Sequence, residues 1–301
     1  MNRFADRLCA AIKQKGNPVM VGLDPRWAQL PPQLKTSSAL IDYLVFCKGI
    51  IDVVAPLVPA IKPQSAFFEA LGPPGMAVLG EIIVYSQQKG LLVVLDVKRN
   101  DIGSTAQAYA EGLLGPEQSA WGADAITVNP YLGEDSLEPF VQQAEQTGAG
   151  LFVLVKTSNP GGAKFQDQIL RDTGLPIYRF VADYVERLAA GRPGADGFGD
   201  IGAVVGATYP AQLAELRLAM PHVLLLIPGY GSQGGAAQDV MAGFRQDGLG
   251  AIVNNARNII FAYARKPYAE QFGAARWQEA TEAATRSMIA ELRAATTQLT
   301  T

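Results

Sequence analysis

The chain has little of what several functional classes require. Its single histidine, His222, cannot build a histidine-based metal site. The two cysteines, Cys9 and Cys47, sit in apolar helical patterns and read as buried thiols, not as a disulfide framework. Lysine and arginine total 25 against 28 acids, a formal charge of −3 that gives no basic footprint for nucleic acid. No apolar run approaches the ~18 residues of a membrane span. The N-terminal segment mixes Arg3, Asp6, Arg7, Lys13 and Lys15 into an amphipathic helix, without the apolar core of a signal peptide. No Pro-, Gly- or Ser-rich linker divides the chain; residues 191–199 are Gly-rich but short and read as a loop. These absences leave a soluble, cytoplasmic protein. With 301 residues and 49% hydrophobic content it can bury one large core, and residues 1–301 read as a single domain.

What is present is a repeating alternation. Short apolar runs, expected as strands, stand at 19–23, 60–62, 91–98, 125–128, 150–155, 201–206, 223–227 and 251–254. Helix-period stretches lie between them at 39–54, 75–89, 102–114, 134–146, 176–190 and 211–220, and a closing helix spans 277–298. Eight βα units in this length predict an α/β fold, a (β/α)8 TIM barrel with extended βα loops. The N-terminal helix precedes the first strand and would plug the barrel's bottom.

In such barrels the chemistry sits at the C-terminal ends of the strands. The third run, Leu91-Leu-Val-Val-Leu-Asp-Val-Lys-Arg-Asn-Asp101, is the most informative. Asp96 and Lys98 lie two residues apart and so leave the same face of a core strand, where charge is costly unless paired. Asp101 follows at the start of the next helix, where it could equally be a simple cap. Lys62 ends the second strand, Asp24 the first and Lys156 the fifth, followed by Thr157-Ser158-Asn159-Pro160. Gln64 and Thr127 also lie at strand ends. Two lysines and two aspartates aimed at one mouth are hard to explain as turns or snorkelling side chains.

The segment Gly229-Tyr230-Gly231-Ser232-Gln233-Gly234 matches G-x-G-x-x-G. A dinucleotide site would want an acid about twenty residues further on, where Asn254 and Asn255 stand. A phosphate site built from the loops after strands seven and eight fits better, with Arg257 as a bidentate clamp.

As a set, Asp96-x-Lys98-x-x-Asp101, Lys62, Asp24, Thr157-Ser-Asn-Pro-Gly161, the glycine loop with Gln233, and Arg257 resemble the orotidine 5′-phosphate decarboxylases, in particular their longer bacterial branch. The resemblance spans residues 24–257. It implies cofactor-free, metal-free decarboxylation of orotidine 5′-monophosphate (OMP) to uridine 5′-monophosphate (UMP), the last step of UMP synthesis. Lys62, Asp96, Lys98 and Asp101 would form a charge network, with Asp101 reaching into the other site of a homodimer. Lys98 would protonate C6, and Asp96 would face the departing carboxylate. Asp24 and Lys62, with Thr105 of the partner subunit, would bind ribose hydroxyls, and Ser158 the pyrimidine. Gln233, the backbone around Gly234, and Arg257 would hold the phosphate.

Three other readings stay open. Lys156 ends a core strand, as the lysine of a Schiff-base aldolase of this fold does. An Asp-x-Lys pair also serves magnesium-dependent sugar-phosphate lyases. A non-catalytic sugar-phosphate binder is the third.

Overall fold

The computed structural model describes residues 3–231 and 236–297, and its eight parallel strands close into a barrel in sequence order. β1 is Val19–Leu23, β2 Ala60–Pro63, β3 Leu92–Arg99 and β4 Ala125–Val128. β5 is Gly150–Lys156, β6 Ile201–Val205, β7 Leu225–Ile227 and β8 Ala251–Asn255. Closure comes from β8 pairing with β1, Val19 opposite Val253 and Met20 opposite Asn254. The strands are buried on both faces along most of their length, which is why they read as unbroken apolar runs.

Major helices Ala39–Val54, Gly72–Gln88, Gly103–Leu113, Glu134–Thr147, Ile177–Gly191 and Pro210–Ala219 follow the first six strands, and Trp277–Thr297 closes the chain. This is the expected TIM barrel with long βα loops. Helix Gly72–Gln88 starts three residues before the sequence pattern suggested, because Pro73 and Pro74 occupy its first turn, where no N–H is needed. β7 starts at Leu225 instead of 223, since the Val223 N–H bonds back to Met220 O in a turn and the ladder begins one bond later. Between β7 and β8 the described residues form one short helix, Ala237–Met241.

Helix Phe4–Lys15 closes the bottom. Its Phe4, Leu8, Cys9 and Ile12 pack with the inward-facing Met20, Val94, Phe152 and Ile252 of the barrel. Phe4 meets Phe152 edge-on at 5.8 Å between ring centroids. Only glycine fits at 150, because a Cβ there would lie 2.1 Å from the Phe4 ring. Arg3 pairs with Asp200 at 2.8 Å and Arg7 with Asp124, so the N-terminal end of the plug is tied to the rim. Cys9 and Cys47 are both buried and unpaired, as their apolar surroundings suggested. Among the described residues no helix is long and apolar enough to cross a membrane.

Candidate active site

A cavity of about 440 Å³ opens at the C-terminal ends of the strands. Asp96 is its pivot. Lys62 Nζ donates to Asp96 Oδ2 at 2.6 Å and Lys98 Nζ donates to Oδ1 at 2.6 Å. Gln64 Nε2 reaches Oδ2 at 3.0 Å and Thr127 Oγ1 reaches Oδ1 at 2.9 Å. Four donors on one buried carboxylate explain how it stays ionised in the barrel. Burial works to raise its pKa, but Lys62 and Lys98 outweigh that and hold Asp96 well below the usual carboxylate range. For Lys62, only 5% exposed, burial opposes the ammonium, yet Asp96 and Asp24 together raise its pKa.

β3 does not end as a regular strand. Its register with β4 shifts between Leu95 and Arg99, and Lys98 sits at φ +46°, in the left-handed region. Such a conformation costs about 1–2 kcal/mol for a residue with a Cβ. Thr127 holds it there: its hydroxyl accepts the backbone N–H groups of Val97 (3.1 Å) and Lys98 (2.9 Å) while donating to Asp96. One proton and two lone pairs are all used. Strand-end position marked Thr127 and Gln64 in the sequence, but nothing there assigned them these roles. A threonine in a strand reads first as a good β former.

The remaining wall divides by chemistry. Leu154, Val204 and Leu226, from β5 to β7, give the cavity an apolar side opposite the charged residues. Ser158 lines the cavity beside them, as do Gly229 and Arg257 from the loops after β7 and β8. Gly206 is required under Ser158, since a Cβ there would approach the Ser158 Cα at 2.8 Å. Gln233 and Gly234 lie outside the described residues.

Asp24 also lines the cavity, and its buried Oδ1 has no hydrogen-bond partner among the described residues. Burial pushes the Asp24 carboxyl above its ordinary value, with Lys62 opposing. A raised folded pKa means that the fold binds this proton more tightly than the unfolded chain does, so ionisation costs stability once the pH exceeds the unfolded value. Asp24→Asn should therefore stabilise the ligand-free protein at pH 7, by on the order of 1 kcal/mol, and so raise its Tm, while weakening UMP binding. The gain should shrink as the pH falls into the carboxylate range. Thermal melts across pH check it; a lower Tm at pH 7 would refute it.

Asp101 and Thr105 are absent from the lining of this cavity. Asp101 is partly buried, Thr105 is exposed, and neighbouring Ile102 is 57% exposed. Nor does Asp101 cap its helix: Ile102 takes that position without a side-chain cap, and Asp101 Oδ1 accepts the adjacent Ile102 N–H at 2.9 Å. Lys98, expected to be buried, has a side chain 46% exposed.

Lys156 is fully buried but does not line the cavity. A register shift between Leu154 and Lys156 breaks the alternation of β5. Leu154 faces the cavity, while Lys156 pairs with Asp167 and lies 4.8 Å and 5.2 Å from the ring centroids of Tyr209 and Tyr178. A Schiff-base lysine must face its substrate, and this one faces the surrounding loops.

The profile of the orotidine 5′-phosphate decarboxylase / HUMPS family matches residues 17–272. An orotidine 5′-phosphate decarboxylase of Rhodopirellula baltica is 53% identical over 303 residues, covering 97% of this chain and 100% of its own length. Another, from Deinococcus radiodurans, is 40% identical over 260 residues, covering 86% and 89%. Among solved structures, Leishmania donovani OMP decarboxylase superposes with a TM-score of 0.77 at 32% identity, covering 98% of this chain and 99% of that one. With the barrel and the Lys62–Asp96–Lys98 cluster at its mouth, the chain belongs to the orotidine 5′-phosphate decarboxylase family.

Proposed function

We propose that the protein converts OMP to UMP and carbon dioxide without a cofactor, at a site shared by two copies of the chain. The observation that carries this reading is the Lys62–Asp96–Lys98 array, with the apolar wall of Leu154, Val204 and Leu226 opposite it. Arg257 and the loop after β7, with Gln233 and the Gly234 backbone, grip the phosphate. Asp24 offers its unpaired oxygen to a ribose hydroxyl, helped by Lys62 and by Thr105 of the partner subunit. Ser158 bonds the pyrimidine.

The substrate's carboxylate then faces Asp96. Its bond to C6 breaks heterolytically, carbon dioxide departs, and the electron pair stays on C6. The Lys98 ammonium stabilises that carbanion and gives it a proton, and the amine is reprotonated from solvent. Proton transfer supplies about 10²–10⁴-fold, so the phosphate grip must also contribute to the chemical step. Asp101 of the partner subunit completes the network beside Lys98. The proposal places the enzyme in the cytoplasm, where its phosphorylated substrate is retained by charge.

Following OMP absorbance with purified protein in EDTA tests the activity. Conversion to UMP at the same rate with and without EDTA is expected; no conversion, or a strict requirement for magnesium, would overturn it. On the same assay, Arg257→Ala should lower kcat/KM for OMP by about 10- to 100-fold, the worth of a charge-assisted contact, and hardly affect orotidine. Equal losses on both substrates would contradict a phosphate role.

A further inference from the structure

Lys156 takes no part in the chemistry above, yet it is shut off from solvent and tied to two loops at the mouth. Its ammonium pairs with Asp167, just past the short helix Ala163–Gln166, and faces Tyr209 in the loop after β6. Both connections run on to the segment that follows β5. Gln166 Oε1 accepts the Thr157 N–H at 3.0 Å, and Gln166 Nε2 donates to Thr157 Oγ1 at 2.7 Å. Thr157 Oγ1 in turn donates to Asn159 Oδ1 at 2.7 Å. Thr208, beside Tyr209, donates from Oγ1 to the Ser158 carbonyl at 3.2 Å. The excursion after β5 thus folds back, and with the β6 loop it clamps Thr157, Ser158 and Asn159, all three of which line the cavity.

We infer that Lys156 and Asp167 are positioning residues: their ion pair locks the two loops together and fixes Ser158 at the height of the pyrimidine ring. Neither touches substrate. The inference rests on the proposed contact of Ser158 with the base. The bulge in β5 gives it a physical logic, because it turns a lysine away from the cavity and delivers the next residues to the wall. A buried ammonium left without its carboxylate is costly, so the pair holds the excursion strongly through a single contact.

The test is calorimetric binding of UMP and of ribose 5-phosphate, which lacks the base, to wild type, Asp167→Asn, Asp167→Glu and Lys156→Met. Asp167 is the better site to change, since its side chain is 39% exposed and Asp167→Asn keeps its size while taking the carboxylate from Lys156. Asp167→Asn should weaken UMP about ten-fold, equivalent to about 1.4 kcal/mol, and leave ribose 5-phosphate within about two-fold of wild type. Asp167→Glu, which keeps the carboxylate, should recover most of the loss. Lys156→Met should show the same base-specific pattern if it folds; if it does not, the two Asp167 variants decide alone. UMP affinity unchanged in Asp167→Asn, or equal losses on both ligands, would overturn the anchor. A wild type that does not bind UMP would instead overturn the proposed function, and the anchor with it.

Discussion

Lys98→Ala should abolish turnover, lowering kcat by about 10²–10⁴-fold, while UMP still binds. On the proposed mechanism the substitution removes the proton donor and the cation closest to the developing carbanion, but little of the fold. Lys98 is half-exposed, and Asp96 keeps Lys62, Gln64 and Thr127 as partners without it. The proposed phosphate contacts are made by other lining residues, Gly229 and Arg257. Alanine also leaves the left-handed backbone at this position as strained as before, so no relaxation of β3 confuses the result. Steady-state kinetics and UMP calorimetry on one preparation check both halves. A variant keeping more than about a tenth of kcat would remove Lys98 as the acid.

The barrel was legible because its strands are buried on both faces, a condition that leaves unbroken apolar runs such as Val93-Val94-Leu95. Boundaries were less legible. Val223 and Leu224 are as apolar and buried as the strand they precede, and only the hydrogen bond of Val223 to Met220 shows that the ladder has not begun. Lys62, Asp96 and Lys98 could be placed at one mouth because strand periodicity fixes which face they leave. Thr127's grip on Lys98 could not, since it depends on a register shift between two strands. Lys156 shows the same limit more sharply. Alternation along β5 predicts that it follows Leu154 into the cavity, and the bulge turns it toward Asp167 and Tyr209, partners 11 and 53 residues away. Asp101 stayed ambiguous in the sequence between a helix cap and a catalytic group. The structure disposes of the cap, and the proposed role of Asp101 in the site of a second copy is left to experiment.

The proposed dimer makes a direct test of the shared site possible. Lys98→Ala and Asp101→Ala should each be inactive as pure dimers. When the two are mixed and allowed to exchange subunits, a shared site gives each mixed dimer one site with both defects and one with none. Random exchange makes half the dimers mixed, so roughly a quarter of wild-type activity should return. The measurement is OMP turnover against time after mixing, with exchange confirmed by mass. Recovery from near zero toward that quarter is the result predicted for Lys98 of one chain working with Asp101 of the other. Activity that stays at zero while mixed dimers form would mean that Asp101 serves its own chain's site, and would contradict the shared charge network.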